Sequence, residues 1–238
     1  MNLFKKNLIT LLLLVVCFVL IWPAIHNGYP LVYSDTGTYI ASGFKNEIPI
    51  DRPIIYCLFV KYMSWSQSLW LVLISQLLVV AFVIYMLVRK FATKNALLIT
   101  ACTIVILSFS TSISNYTSQI MPDIFSALSI IGISILITTD KMRFKEYLLA
   151  LVVVFSAMSH LSNSIVLLGI MLLTFFSLLF RLVDKKVFFR IFLMALIPII
   201  CTLTLNKIYS GKAQLSRASN VFIVARMIEI GVVTEFLK

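Results

Sequence analysis

Asp35 stands in the segment Asn27-Gly28-Tyr29-Pro30-Leu31-Val32-Tyr33-Ser34-Asp35-Thr36-Gly37-Thr38-Tyr39, with hydroxyl groups on both sides of it. A carboxylate held by hydroxyl donors can take a proton from a substrate. The same residues could instead form a turn in which Asp35 caps a helix starting near Thr36. Arg52, in Ile50-Asp51-Arg52-Pro53, offers a planar fork to a phosphate, or pairs with the adjoining Asp51. The following stretch, residues 54–65, contains Tyr56, Lys61, Tyr62 and Trp65. It suits a helix lying along a membrane surface, or a hairpin partner without a ligand role. Pro122-Asp123 sets a second carboxylate where an apolar run begins, so Asp123 is either functional or a cap on a helix N-terminus. His160 and Asn163 lie in the polar turn Ser159-His160-Leu161-Ser162-Asn163-Ser164 inside an otherwise apolar block. Polar groups at such depth face a cavity or bond between helices.

Seven apolar stretches must position these residues, at about 8–26, 69–88, 95–110, 124–139, 147–160, 160–180 and 187–205. The block 147–180 would reach roughly 51 Å as one helix, longer than a bilayer core, so it is divided at the polar turn. Pro198 predicts a kink in the last stretch. With the N-terminus in the cytoplasm, the inner segments hold Lys5, Lys6, Arg89, Lys90, Lys94, Lys141, Arg143, Lys145, Arg181, Lys185, Lys186 and Arg190, most of the 20 basic residues. That arrangement obeys the positive-inside rule. Asp35, Glu47, Asp51, Asp123, Glu229 and Glu235 fall outside. The outer loop 27–68 is long for a connection, a length often associated with function.

The composition agrees with this threading. Of 238 residues 61% are hydrophobic and 12% charged, and the mean hydropathy is +1.05. The charged share is about half that of a soluble domain. A disordered chain and an ordinary soluble enzyme are excluded. The net charge of +11 is read as a topology signal, with no nucleic-acid partner expected. Cys17, Cys57, Cys102 and Cys201 are widely separated and read as apolar fillers, not as a zinc site or a disulfide framework. The first apolar stretch is read as an uncleaved membrane span. The expected fold is therefore an all-α, multi-pass bundle of about seven transmembrane helices, with interfacial helices in the first outer loop.

Asp35, the stretch Arg52-Pro53-Ile54-Ile55-Tyr56 and the stretch Met121-Pro122-Asp123-Ile124-Phe125 together resemble the membrane half of the GT-C glycosyltransferases. The likeness is to their protein O-mannosyltransferase and aminoarabinose transferase branch. The resemblance covers most of residues 1–205 and includes the number of spans. It implies a polyprenyl-phosphate-linked sugar donor and an acceptor at the outer face of a bacterial inner or plasma membrane. Asp35 would be the catalytic carboxylate, and Asp123 would hold the acceptor or, with Asp35, a divalent cation (Mg or Mn). Arg52 and Arg226, with Arg217, would answer the donor phosphate. Tyr39, Tyr56, His160 and Asn163 would line the cavity. The chain departs from the family in having Thr36 after Asp35, where the mannosyltransferases pair Asp with Glu, and in lacking a Lys or Arg beside His160. Residues 206–238 are expected to be an outer-face tail and the start of a missing C-terminal part. The competing expectations are a transporter or flippase and an envelope assembly protein, for which the carboxylates would only cap helices.

Overall fold

The computed structural model describes residues 15–216 and 219–236, with side chains of 219–223 and 233–234 excluded. Lys5, Lys6, Arg217 and the first half of the expected first span lie outside the described residues. Within them the chain is helical, and the only β-pairing is an isolated parallel bridge between Leu31 and Gln119. In chain order the helices are α1 (Val15–Asn27, with a tighter turn at Phe18–Ile21), α2 (Thr36–Lys45), α3 (Ile55–Met63), α4 (Leu69–Phe91) and α5 (Ala96–Ser110). There follow α6 (Ile113–Ser118), α7 (Ile124–Ile137), α8 (Phe144–Ser159), α9 (Leu161–Leu179) and α10 (Lys185–Ser210). The short α11 (Ser219–Glu229) and α12 (Val232–Phe236) complete the described chain.

Three helices, α4, α9 and α10, are long and apolar enough to cross a membrane. The other apolar helices are shorter: α5 has 15 residues and α7 has 14, or roughly 22 and 21 Å at 1.5 Å per residue. The helices thus follow the expected apolar stretches, while among the described residues only those three reach full spanning length. The division at the polar turn is present: His160 has an extended backbone, φ −143° and ψ 124°, and separates α8 from α9. Helix α10 carries Pro198 inside it and runs from Lys185 to Ser210 as one element, where the sequence predicts a kink.

Many large apolar side chains remain exposed on the helices, among them Ile106, Phe109, Leu151, Ile165, Leu173 and Phe176. A water-soluble domain would not leave so much of its helical surface apolar; such side chains are at home against lipid. The interior depends on close approach. Helix α7 packs on α8 at Gly132, where an added Cβ would lie 2.7 Å from Val153 Cγ2. Helix α2 packs on α3 at Gly43, against the backbone of Cys57. Small residues let backbones meet where no aqueous hydrophobic effect drives helices together.

The two ends of α7 differ in charge. Asp123 precedes its first residue. At its other end Lys90 donates to the Thr138 carbonyl, and Arg190 donates to the carbonyls of Leu136 and Thr139. Cations suit the carbonyl end of a helix and anions the N–H end, so one polar axis runs along the bundle.

Candidate functional site

The loop before α2 is pinned to the segment between α6 and α7. Leu31 N–H donates to the Ser118 carbonyl (2.9 Å), and Ile120 N–H donates to the Leu31 carbonyl (3.1 Å). Thr36 Oγ1 adds a bond to the Ile120 carbonyl at 3.2 Å and accepts from Tyr33 N–H at 2.8 Å. These bonds bring Asp35 and Asp123, 88 positions apart, to the same end of the bundle.

Both acids sit at helix starts, yet neither uses its side chain to cap the helix. Asp35 turns to Arg52, whose Nη1 lies 2.9 Å from Asp35 Oδ2 and is shielded from water, though its angle is not that of a hydrogen bond. The same guanidinium donates through Nε to Asp51 Oδ1 at 3.0 Å and through Nη2 to Asp51 Oδ2. It also lies 5.0 Å from the Tyr39 ring centroid, a cation–π distance. Arg52 therefore bridges two carboxylates and an aromatic face, with its side chain 17% exposed. Its hydrogen bonds hold the Asp51 carboxyl below its ordinary value of 3.8, and Asp51 in turn raises the Arg52 pKa against the opposing effect of burial. Burial pushes the Tyr39 phenol up to about 12, with Arg52 pulling the other way.

Asp35, Arg52, Asp123 and His160 meet at a polar cavity of about 170 Å³, which also has Tyr39 and Asp51 in its wall. It is assembled from the starts of α2 and α7, the segment leading into α3, and the α8–α9 break. Helix starts carry positive potential, and here they face three carboxylates, Asp35, Asp51 and Asp123, and one guanidinium, Arg52. The Asp123 carboxylate makes no hydrogen bond or ion pair with any described residue, and Asp123 is exposed at the cavity. His160 Nδ1 shares a 2.7 Å hydrogen bond with Ser162 Oγ.

Three residues expected at the site lie elsewhere. Tyr56 is fully buried behind Tyr39, the rings meeting edge to face at 4.9 Å. Asn163 faces into the bundle, its Nδ2 donating to the Ser156 carbonyl at 3.0 Å. That bond, with Ser164 Oγ donating to the Ala157 carbonyl at 2.7 Å, caps the end of α8, the helix-to-helix role open to a polar group at depth. Arg226 is exposed on α11 and paired with Glu229, away from the cavity wall.

Gln76 was not singled out by the sequence reading, although it is the lone amide in the apolar helix α4. It is fully buried and accepts from Tyr56 Oη at 2.6 Å. Its Nε2 donates to the carbonyls of Thr117 (3.2 Å) and Gln119 (2.9 Å). Gln76 thus ties the α3 aromatic cluster to the segment that carries Asp123. An isolated polar residue in a spanning helix is the signal that could have found it.

Among the described residues no group of three or more His, Cys, Asp or Glu could hold a metal ion. Arg52 already sits against Asp35 and supplies the positive charge there.

A separate apolar groove of about 400 Å³ opens on the flank of the bundle, lined by residues including Phe59, Leu78, Phe82, Phe125, Leu151 and Phe155. Phe125 of this groove follows Asp123 of the polar cavity by two positions, and its ring lies 6.2 Å from that of the buried Tyr56. Comparison with known proteins found no match to a family model, a curated protein or a solved structure.

Proposed function

We propose that the chain is an integral-membrane glycosyltransferase of the GT-C type, threading the membrane about seven times with its N-terminus in the cytoplasm. It would transfer a sugar from a polyprenyl-phosphate donor to an acceptor hydroxyl at the outer face of a bacterial inner or plasma membrane. The reading rests on one observation: Asp35, Arg52, Asp123 and His160 share a cavity built from helix starts.

In this reading the donor phosphate takes the Arg52 guanidinium from Asp35. Arg52 has the fork geometry for that exchange, and Asp51 keeps it in place. The freed Asp35 carboxylate then accepts the proton of the acceptor hydroxyl as that oxygen bonds to the anomeric carbon. The bond from that carbon to the phosphate oxygen breaks, and the lipid phosphate leaves with the electron pair, stabilised by Arg52. Asp123, left unpaired by the protein, orients the acceptor. The apolar groove beside Phe125 holds the prenyl chain.

The test is Asp35→Asn in the purified full chain, assayed with defined polyprenyl-phosphate sugars. General-base loss predicts turnover lower by roughly 10²–10⁴-fold, with helical content and membrane insertion unchanged. A transporter or an assembly partner would retain its function in this variant, so an unaffected Asp35→Asn protein would refute the enzymatic reading.

A further inference from the structure

At the other end of α7 from Asp123, a second polar cavity of about 450 Å³ lies among the end of α4, the end of α7 and the start of α8. Its wall carries Arg89, Lys90, Lys141 and Arg143 together with Asp140 and Glu146, and Met86 and Ile135 add apolar surface. The acids do not neutralise the bases. Among the described residues the only ion pairs are those of Arg52 and Arg226. Glu146 instead accepts from the Arg143 backbone N–H at 2.9 Å, at the start of α8. Lys90 donates to a carbonyl at the end of α7. The side chains of Arg89 and Lys141 have no hydrogen bond or ion pair with any described residue. Four basic side chains thus share the wall with two acidic ones, and none of them is paired within ion-pair distance among the described residues, which leaves the cavity with an excess of positive charge.

The surroundings indicate which anion this cavity suits. Phe91 and Phe144 are 83% and 77% exposed, and Tyr147 is also exposed, next to the basic residues in the chain. Aromatic side chains mixed with Lys and Arg mark the level where lipid head groups meet hydrocarbon. A small inorganic anion would leave the exposed rings of Phe91, Phe144 and Tyr147 uncovered. A phospholipid would place phosphate among the cations and acyl chain against the exposed aromatic rings. Basic pockets between membrane helices hold phosphate-bearing head groups in this way.

We propose that this cavity binds the phosphate of an anionic phospholipid, with Arg89, Lys141 and Arg143 as its partners. The site lies at the far end of the bundle from Asp35, and its test needs no turnover, so it stands or falls apart from the glycosyl-transfer reading.

The experiment follows thermal unfolding of the full chain in neutral detergent during titration with phosphatidylglycerol, phosphatidylcholine or inorganic phosphate. A ligand bound only by the folded state raises the melting temperature saturably. Phosphatidylglycerol is expected to do so, and the other two are not. Each cation near a head group is worth roughly fivefold in affinity. Arg89→Gln alone should therefore raise the half-saturating concentration by about that factor, and the triple variant with Lys141→Gln and Arg143→Gln by well over tenfold. Arg89→Lys with Arg143→Lys should keep most of the binding, which separates lost charge from lost folding. Lys185→Gln with Lys186→Gln, basic residues outside the cavity wall, should change nothing. An equal response to phosphatidylcholine, or an equal loss in the Lys185/Lys186 variant, would overturn the site. An equal response to inorganic phosphate would overturn the lipid assignment in favour of a free anion.

Discussion

Gly43→Ala probes how the proposed site is braced. A Cβ at this position would lie 2.2 Å from the Cys57 carbonyl oxygen and 2.9 Å from its carbon. Both are backbone atoms of α3, so no side chain can rotate aside. Restoring ordinary contact, which begins near 3.4 Å, requires α2 and α3 to part by about 1 Å at that point. Overpacking of this kind costs about 1–3 kcal/mol, against about 0.5–1 kcal/mol gained by replacing glycine in a helix. The expected net result is a destabilisation of about 1–2 kcal/mol. The matched control is Gly169→Ala in α9, where an added Cβ meets open space. It should stabilise by about 0.5–1 kcal/mol. Both are measured by denaturant unfolding in mixed micelles. The same separation would disturb the 2.9 Å contact between Arg52 and Asp35, because those residues lead into α3 and α2 respectively. A displacement of 1 Å costs roughly 100-fold in turnover where reacting groups must be aligned. If Gly43→Ala proved as stable as the parent protein, the close backbone packing and the argument built on it would be wrong.

Other outcomes follow from the same contacts. Gln76→Leu strands the buried Tyr56 hydroxyl and two backbone carbonyls, and should cost about 2–5 kcal/mol. In a double-mutant cycle Tyr56→Phe should recover part of that loss, whereas additivity within about 0.5 kcal/mol would show that the bond does not couple the two residues. Arg52→Gln should return the Asp51 carboxyl toward its ordinary value of 3.8. Because the folded-state value is depressed, the stabilisation is present above 3.8 and disappears as pH falls through the lower folded value. Unfolding of the parent should therefore show an acid-side loss that Arg52→Gln reduces; identical pH profiles would contradict the Arg52–Asp51 assignment. Tyr39 should ionise at about 12 in an ultraviolet difference titration against Tyr39→Phe. Its raised folded value means that its contribution to stability is complete below 10.0 and is lost as pH rises toward 12. A difference spectrum centred near 10 would show that the ring is not buried as described.

Local patterns in the chain were enough to locate the helices. The run Leu69–Val88 becomes α4, and the polar turn at His160 divides α8 from α9 as its composition demands. Apolar composition does not fix the length of each helix, which is why α5 and α7 stop short of full spanning length. For the site, residue type identified Asp35, Arg52, Asp123 and His160, whose common cavity depends on the loop bonds of Leu31 and Thr36. Such pairings join distant segments and leave no periodic trace. Arg52 presented two options in the sequence, a phosphate fork or a partner for Asp51, and the fold adds a third contact in Asp35. Asn163 and Tyr56 turned inward because buried amides and hydroxyls must find partners, at the Ser156 carbonyl and at Gln76.

The cavity wall draws on residues from Asp35 to Leu161. A ribosome adding about 5–20 residues per second needs roughly ten seconds to travel that distance. Throughout that interval the early acidic and basic side chains exist without His160 and without the support of α9. The pocket is therefore complete only once the α8–α9 break has been made, so a chain arrested before His160 would lack that part of the wall.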